Sequence, residues 1–309
     1  MTVTTEAPRR DAAAVGTVAT TLDAAGVPLS ALLQEPDRTP PRAVIVALHG
    51  GGMRAGYFDG RAHPDVSLLR LGARLGYSVL AVDRPGYGRS AARFPQGRTL
   101  AEQSALLHAA LADFARRYPV GAGFHLLGHS YGGKLALTAA AEDGDSTTPR
   151  VLGVDVSGCG HRYADDAVDA GGRIRRVPWT WNWGALRFYP PDTFRSSAAI
   201  VSAMPEQEVA EAARWPRLFR GIAARIRVPV RFTFAQSESW WRHDEAATAE
   251  LSAAFPRAPQ VVIDRQPDSG HNLSLGWAAR SYHLRALGFF EQCLGAPEIQ
   301  LAQAPLAVG

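Results

Sequence analysis

The chain has 309 residues, 46 % of them hydrophobic and 20 % charged, enough for one large α/β domain or two small ones around a sizeable core. Its formal net charge of +4 comes from arginines scattered along the chain, with Lys134 the sole lysine, so the basic stripe of a nucleic-acid-binding protein is missing and no nucleic-acid partner is expected. The two cysteines, Cys159 and Cys293, lie far apart with no CxxC or metal-type spacing, which argues against a disulfide framework and a zinc site and suits a reducing compartment.

No apolar stretch of signal-peptide length follows Arg9 and Arg10, and no run approaches the roughly 20 apolar residues that span a bilayer. A cytoplasmic protein with no membrane partner is expected. Residues 1–40 are rich in Thr, Ala and Pro and read as a mobile tail followed by a short strand or two around 16–33. The run 43–48 is apolar and β-branched and ends in His49-Gly50, the pattern of a buried parallel strand entering a loop. A second such strand is read over 78–82. Between them Val66, Leu69 and Ala73 sit at helical spacing, and Gly76 follows the last turn.

The alternation continues with a helix over about 100–118, a strand over 124–127, a helix over about 132–141 and a strand over 151–156. It is interrupted over 158–227, where Pro178, Pro190, Pro191, Pro205 and Pro216 punctuate a tryptophan-rich segment read as an insertion. A strand over 230–235, a helix around 244–255, a strand over 260–263 and a closing helix over about 277–293 complete the pattern, and 296–309 read as a loose tail. Strands alternating with helices predict an α/β fold with a mostly parallel sheet flanked by helices, its core made of 41–157 and 228–295.

Ser130 stands where the strand Phe124-His125-Leu126-Leu127 meets a helix opening Tyr131-Gly132-Gly133, inside Gly128-His129-Ser130-Tyr131-Gly132. A serine at so sharp a strand-to-helix turn has its hydroxyl thrust clear of the sheet, and the flanking glycines remove side chains that would collide in the bend. The helix N-terminus aims N–H groups at the same point, so the backbone N–H of Tyr131 is placed to stabilise an oxyanion. A serine hydroxyl needs a general base, and the chain offers nine histidines, among them His271 in the polar run Asp268-Ser269-Gly270-His271-Asn272 after the last core strand. A carboxylate must then orient that histidine.

With Gly-x-Ser-x-Gly in this setting, the chain from about Arg42 to about Leu294 resembles the α/β-hydrolase superfamily. Three further runs match its pattern in order: His49-Gly50-Gly51-Gly52 resembles the oxyanion loop, Asp83-Arg84-Pro85-Gly86-Tyr87-Gly88-Arg89-Ser90 resembles the D-x-P-G-x-G-x-S turn, and Gly270-His271 resembles the loop presenting the catalytic histidine. The resemblance implies the α/β-hydrolase fold, with the insertion folded as a helical lid over Ser130 and a helix near 205–219 as its moving part. It implies a triad of Ser130, His271 and Glu238, the last just after the strand over 230–235, with Asp155 as the other site where such enzymes carry the acid and Asp244 and Asp264 behind it. Gly51 would supply the second oxyanion N–H, less readily Gly52, while His49 would support its loop and the 83–90 turn would hold it.

The function so implied is a serine hydrolase that acts through an acyl-enzyme on an ester, thioester or related carbonyl compound. Met53, Tyr57, Trp181 and Trp240 are candidates to line the substrate pocket. Trp179, Trp181, Trp183, Phe188, Tyr189, Phe194, Trp215 and Phe219 suit an apolar or aromatic small-molecule acyl substrate, or form the insertion's own core. The same triad also serves an acyltransferase, a cyclase or an off-loading thioesterase, the last taking its acyl group from a carrier protein, and a C–C hydrolase is compatible. Epoxide hydrolase and haloalkane dehalogenase are disfavoured, because both ordinarily place aspartate where Ser130 stands. A non-catalytic binding protein on this scaffold is the third class. The chemistry requires no metal or organic cofactor, and no GxGxxG or Walker-type loop occurs.

Overall fold

The described chain opens with a hairpin whose strands, β1 (Val18–Ala24) and β2 (Val27–Gln34), pair antiparallel across Ala25 and Gly26. Both turn residues have positive φ, 53° and 81°, which gives a two-residue turn the twist its strands need. The fold is a computed structural model in which residues 16–143, 150–169, 173–175, 177–197 and 200–295 are described. The expected tails over 1–15 and 296–309 lie outside the described residues.

Strand β3 (Val44–Leu48) is buried along its whole length, and its pleat splits it between two cores. Val44, Val46 and Leu48 join one cluster, and Ile45 and Ala47 join the other on the opposite face. That double burial is why the strand reads as a continuous apolar run rather than an alternating one. Helix α1 (Leu68–Arg74) is capped by Ser67, whose hydroxyl accepts from the Arg70 N–H, and it leads into β4 (Ser78–Val82). Helix α2 (Leu100–Arg117) starts on a capping box in which Thr99 and Glu102 exchange bonds, satisfying two N–H groups that a helix start leaves open. Strand β5 (Phe124–His129) enters α3 (Tyr131–Glu142) with Ser130 as the only residue between them, and β6 (Val151–Ser157) follows.

Between β6 and β7 (Val230–Ser237) the inserted segment carries α4 (Thr180–Trp183), α5 (Thr193–Ser197) and α6 (Glu206–Ala223). Helix α6 falls where a helix near 205–219 was expected, and Pro216 lies inside it. A proline within a helix costs about 3 kcal/mol, and here Trp215 and Phe219 anchor the helix on either side of it, 0 % and 1 % exposed. Helix α7 (Glu245–Ala253), strand β8 (Val261–Gly270) and helix α8 (Ala279–Cys293) end the described fold.

The eight strands run in the order β1-β2-β4-β3-β5-β6-β7-β8, antiparallel at β1/β2 and β2/β4 and parallel from β4 to β8. The α/β class and mostly parallel sheet match the expectation from sequence. One strand differs: the run expected over 260–263 continues to Gly270, paired with β7 through a register shift between Ala235 and Ser237. As an edge strand β8 tolerates Asp264, Arg265 and Asp268, so its second half lacks the apolar signature of a central strand. The extension carries the chain to His271.

Candidate active site

The bend at Ser130 is conformationally costly and sterically locked. Ser130 has φ 53° and ψ −112°, a region that residues with a Cβ rarely occupy and that costs of order 1–3 kcal/mol. Its N–H is tied to the Ser157 carbonyl at 2.8 Å. A Cβ on Gly128 would lie 2.4 Å from the Gly132 carbonyl oxygen, and one on Gly132 would lie 2.0 Å from that of Leu48, so neither position accepts a side chain. Tyr131 is the first residue of α3, and its N–H is among those a helix leaves without an internal partner.

His271 follows β8 directly and is 5 % exposed. Its Nδ1 faces both oxygens of Glu238, at 2.9 and 3.1 Å, and Glu238 also accepts from the Trp240 N–H at 3.0 Å. A carboxylate at Nδ1 holds the ring proton there and leaves Nε2 free as a base. The ring has room because Gly158, at φ 57°, has no Cβ; one built there would lie 2.8 Å from His271 Cε1. Ser130, Tyr131, Gly51, His271 and Trp240 line one cavity of about 250 Å³.

The other acids considered from sequence are engaged elsewhere. Asp155 is fully buried, ion-paired with Arg231 and accepting from the Tyr282 hydroxyl at 2.7 Å. Asp264 binds the other side of Arg231 at 2.8 Å, and Asp244 caps α7 through the Ala247 N–H. Burial raises the Asp155 carboxyl above its ordinary range, with Arg231 opposing.

The loop 49–52 is held from the turn after β4. The Arg84 side chain donates to the carbonyls of His49 and Gly50 at 2.8 and 3.2 Å, and its backbone N–H donates to His49 Nε2 at 3.1 Å. His49 therefore carries its proton on Nδ1, which donates to the Gly50 carbonyl at 2.9 Å. Burial, with the Arg84 charge adding to it, keeps that imidazole well below its usual pKa and neutral. The Gly52 N–H donates to the Tyr87 hydroxyl at 3.1 Å, which takes it out of the candidate oxyanion donors and leaves Gly51. Asp83 supports the same turn by accepting from the Ala55 N–H at 2.8 Å.

Of the four pocket candidates, Trp240 lines the cavity and three do not. Tyr57 is fully buried and stacks on His129 at 4.8 Å, below the site. Met53 pairs with Val201 of the inserted segment and packs on the second core cluster. Trp181 meets Trp240 edge-on at 5.5 Å and faces a separate hollow with Ala164 and Arg242. Four rings of the inserted segment form core, Trp215 and Phe219 in the first cluster and Phe188 and Tyr189 in the second, while Trp179 and Phe194 are exposed. The cavity is lined instead by Tyr163, Ile174, Met204, Val209, Ala212 and Trp241, together with Lys134. The sequence signal for Lys134 was available: it is the one lysine, set one helical turn after Ser130 on an otherwise apolar helix. Among the described residues no group of His, Cys, Asp and Glu could hold a metal ion, and no helix is long and apolar enough to cross a membrane.

A sheet of this order, with a strained serine between β5 and α3 and a carboxylate–histidine pair after β7 and β8, defines an α/β-hydrolase architecture. The family model described as "Alpha/beta hydrolase family" matches residues 45–283, and the chain belongs to that family. No curated protein matches it in sequence. Similar solved structures include a thermostable carboxyl esterase from Bacillus coagulans, at TM-score 0.66 and 13 % identity over 90 % of this chain and 98 % of that one. A soluble variant of monoglyceride lipase from Saccharomyces cerevisiae aligns at TM-score 0.65 and 12 % identity, over 93 % and 98 %. E-2-(acetamidomethylene)succinate hydrolase aligns at 0.63 and 19 %, over 90 % and 100 %. At these identities the likeness is one of fold.

Proposed function

We propose that the protein is a serine hydrolase that cleaves a carboxylic ester or related acyl compound through an acyl-enzyme. The observation that carries the reading is the Glu238–His271 pair at 2.9 Å opening onto the cavity that holds Ser130. Ser130 Oγ attacks the carbonyl carbon as His271 Nε2 takes its proton, and Glu238 stabilises the imidazolium so formed. The N–H groups of Gly51 and Tyr131 hold the oxyanion. Collapse of the tetrahedral intermediate expels the leaving group, which takes the proton back from His271, and water deacylates Ser130 by the same steps. The segment 158–227 acts as the lid, since Ile174, Met204, Val209 and Ala212 roof the cavity with an apolar surface. A fluorophosphonate probe is expected to label the wild-type chain and not Ser130→Ala; absence of labelling on folded wild type overturns the reading.

A further inference from the structure

Lys134 is 3 % exposed and lines the same cavity as Ser130. Its ammonium sits among three aromatic faces, 4.6 Å from the Trp241 ring centroid, 5.6 Å from Trp215 and 5.9 Å from Tyr131. Among the described residues it makes no ion pair, and its polar neighbour is Cys159 Sγ at 4.0 Å. That thiol is pushed up to about 11 by burial, so it offers no negative charge near neutral pH.

The nearest charges are engaged. Glu208 is bound by Arg84, Tyr87 and Gln103, Glu238 is bound by His271 and the Trp240 N–H, and Arg84, which also packs on the Tyr131 ring, repels Lys134. Desolvation accordingly lowers the Lys134 pKa from its ordinary value. Cation–π attraction to three rings does not match the desolvation penalty of a buried ion without a carboxylate partner. A second polar group is also unmatched: the hydroxyl of Tyr131, a residue that lines the cavity, is buried with no hydrogen-bond partner.

We infer that Lys134 and the Tyr131 hydroxyl form an anion subsite, so that the substrate carries a carboxylate a few bonds from the carbonyl that Ser130 attacks. This rests on the serine-hydrolase reading. Lys134 stands four residues after Ser130, which immediately precedes α3, a separation of about 6 Å along the helix axis that fits a linker of a few atoms. The cavity of about 250 Å³ lies below the roughly 300–1,000 Å³ usual for drug-sized ligands, which suits a short acyl chain. A carboxylate brought to this wall would supply the counter-ion that the fold does not, and an uncharged substrate would leave the ammonium unpaired.

The test compares kcat/KM on two matched pairs: monoethyl glutarate against ethyl pentanoate, and butanoyloxyacetate against propyl butanoate, with acid release followed by chromatography. Wild type is expected to prefer the charged member of at least one pair, and Lys134→Met to lower that charged-to-neutral ratio tenfold or more. No preference in either pair, or a ratio that Lys134→Met leaves unchanged because both esters fall together, overturns the subsite and marks Lys134 as a packing residue. Calorimetry of glutarate binding to Ser130→Ala, with Lys134 intact or replaced by Met or Leu, reads the subsite without chemistry. Tenfold weaker binding in a folded double variant supports the subsite, and equal binding, or no binding to Ser130→Ala alone, overturns it. If fluorophosphonate fails to label Ser130, the hydrolase reading falls while the binding arm still decides the subsite.

Discussion

Arg84 and Glu208 form an ion pair with both side chains fully buried, and the pair joins the turn after β4 to the first turn of α6. Arg84 also grips the carbonyls of His49 and Gly50, so one guanidinium ties the inserted segment to the loop that contributes Gly51. Glu208 completes the cluster by accepting from Tyr87 at 2.7 Å and Gln103 at 3.0 Å, and the Tyr87 hydroxyl in turn accepts from Gly52. Position of the inserted segment and shape of the loop 49–52 are therefore mechanically connected.

Removing Glu208 leaves a buried guanidinium without a counter-ion, the costly way to break such a pair. Glu208→Ala is expected to lose about 3–5 kcal/mol of stability, measured by urea unfolding. Its kcat on an ester is expected to fall as well, because Arg84 then competes for new partners and the Gly50-Gly51 backbone loosens. A variant as stable and active as wild type would show that the pair is not the link described.

Glu238 and Asp155 make opposite predictions. Under the proposed chemistry Glu238→Gln removes the charge that stabilises the His271 imidazolium, and kcat is expected to fall by roughly 10³–10⁴ with a smaller change in KM. Asp155→Asn instead weakens the Arg231–Tyr282 cluster and is expected to lower the melting temperature with little effect on kcat at temperatures where it is folded. Steady-state kinetics and melting curves on both variants check this, and the reverse pattern would move the acid to Asp155.

The strained backbone at Ser130 gives a prediction independent of activity. Ser130→Ala and Ser130→Gly both remove the hydroxyl, but only glycine relaxes at φ 53°. Ser130→Gly is expected to be more stable than Ser130→Ala by about 1 kcal/mol, read as a higher melting temperature. The opposite order would mean that the bend is not strained.

Four histidines, His49, His125, His129 and His283, are buried and held below their usual pKa by desolvation, His125 and His283 down to about 3. In the unfolded chain each takes up a proton near pH 6.5, whereas the native form resists it. The unfolded state binds more protons below that pH, so stability is present above about 6.5 and is lost as pH falls toward 3. The slope is about 1.4 kcal/mol per pH unit for each such group. His125 stacks on Phe290 at 4.4 Å, and neither ring nitrogen has a partner, so His125→Phe should keep the packing and remove one group's share of the slope. Urea titrations at pH 7.5 and 5.5 measure it; an unchanged slope in the variant would show that His125 is protonated in the native state.

Much of the fold was legible from sequence because a central parallel strand is buried on both faces and must read as an unbroken apolar run. Strands β3 and β4 are such runs, and helix α2 was marked by its apolar spacing. Strand β8 escaped beyond Ile263 because an edge strand with one solvated side carries no such constraint. A helix was expected near 205–219, and α6 spans Glu206–Ala223; what apolar periodicity does not mark is that its buried stripe of Glu208, Glu211, Ala212, Trp215, Phe219 and Ile222 includes two glutamates.

By itself the sequence determined the alternation of strands and helices and the glycine-flanked bend at Ser130, because each is a local matter of backbone sterics or burial period. Only the tertiary structure decided that Glu238 rather than Asp155 meets His271: Glu238 lies against His271 Nδ1, whereas Asp155 is held by Arg231 and Tyr282. It also decided that Lys134 faces the cavity of Ser130 and that Phe188, Tyr189, Trp215 and Phe219 of the inserted segment turn into core. The partners of a buried charge and the side a ring turns to are set by elements distant in sequence, and no local pattern of residues encodes them.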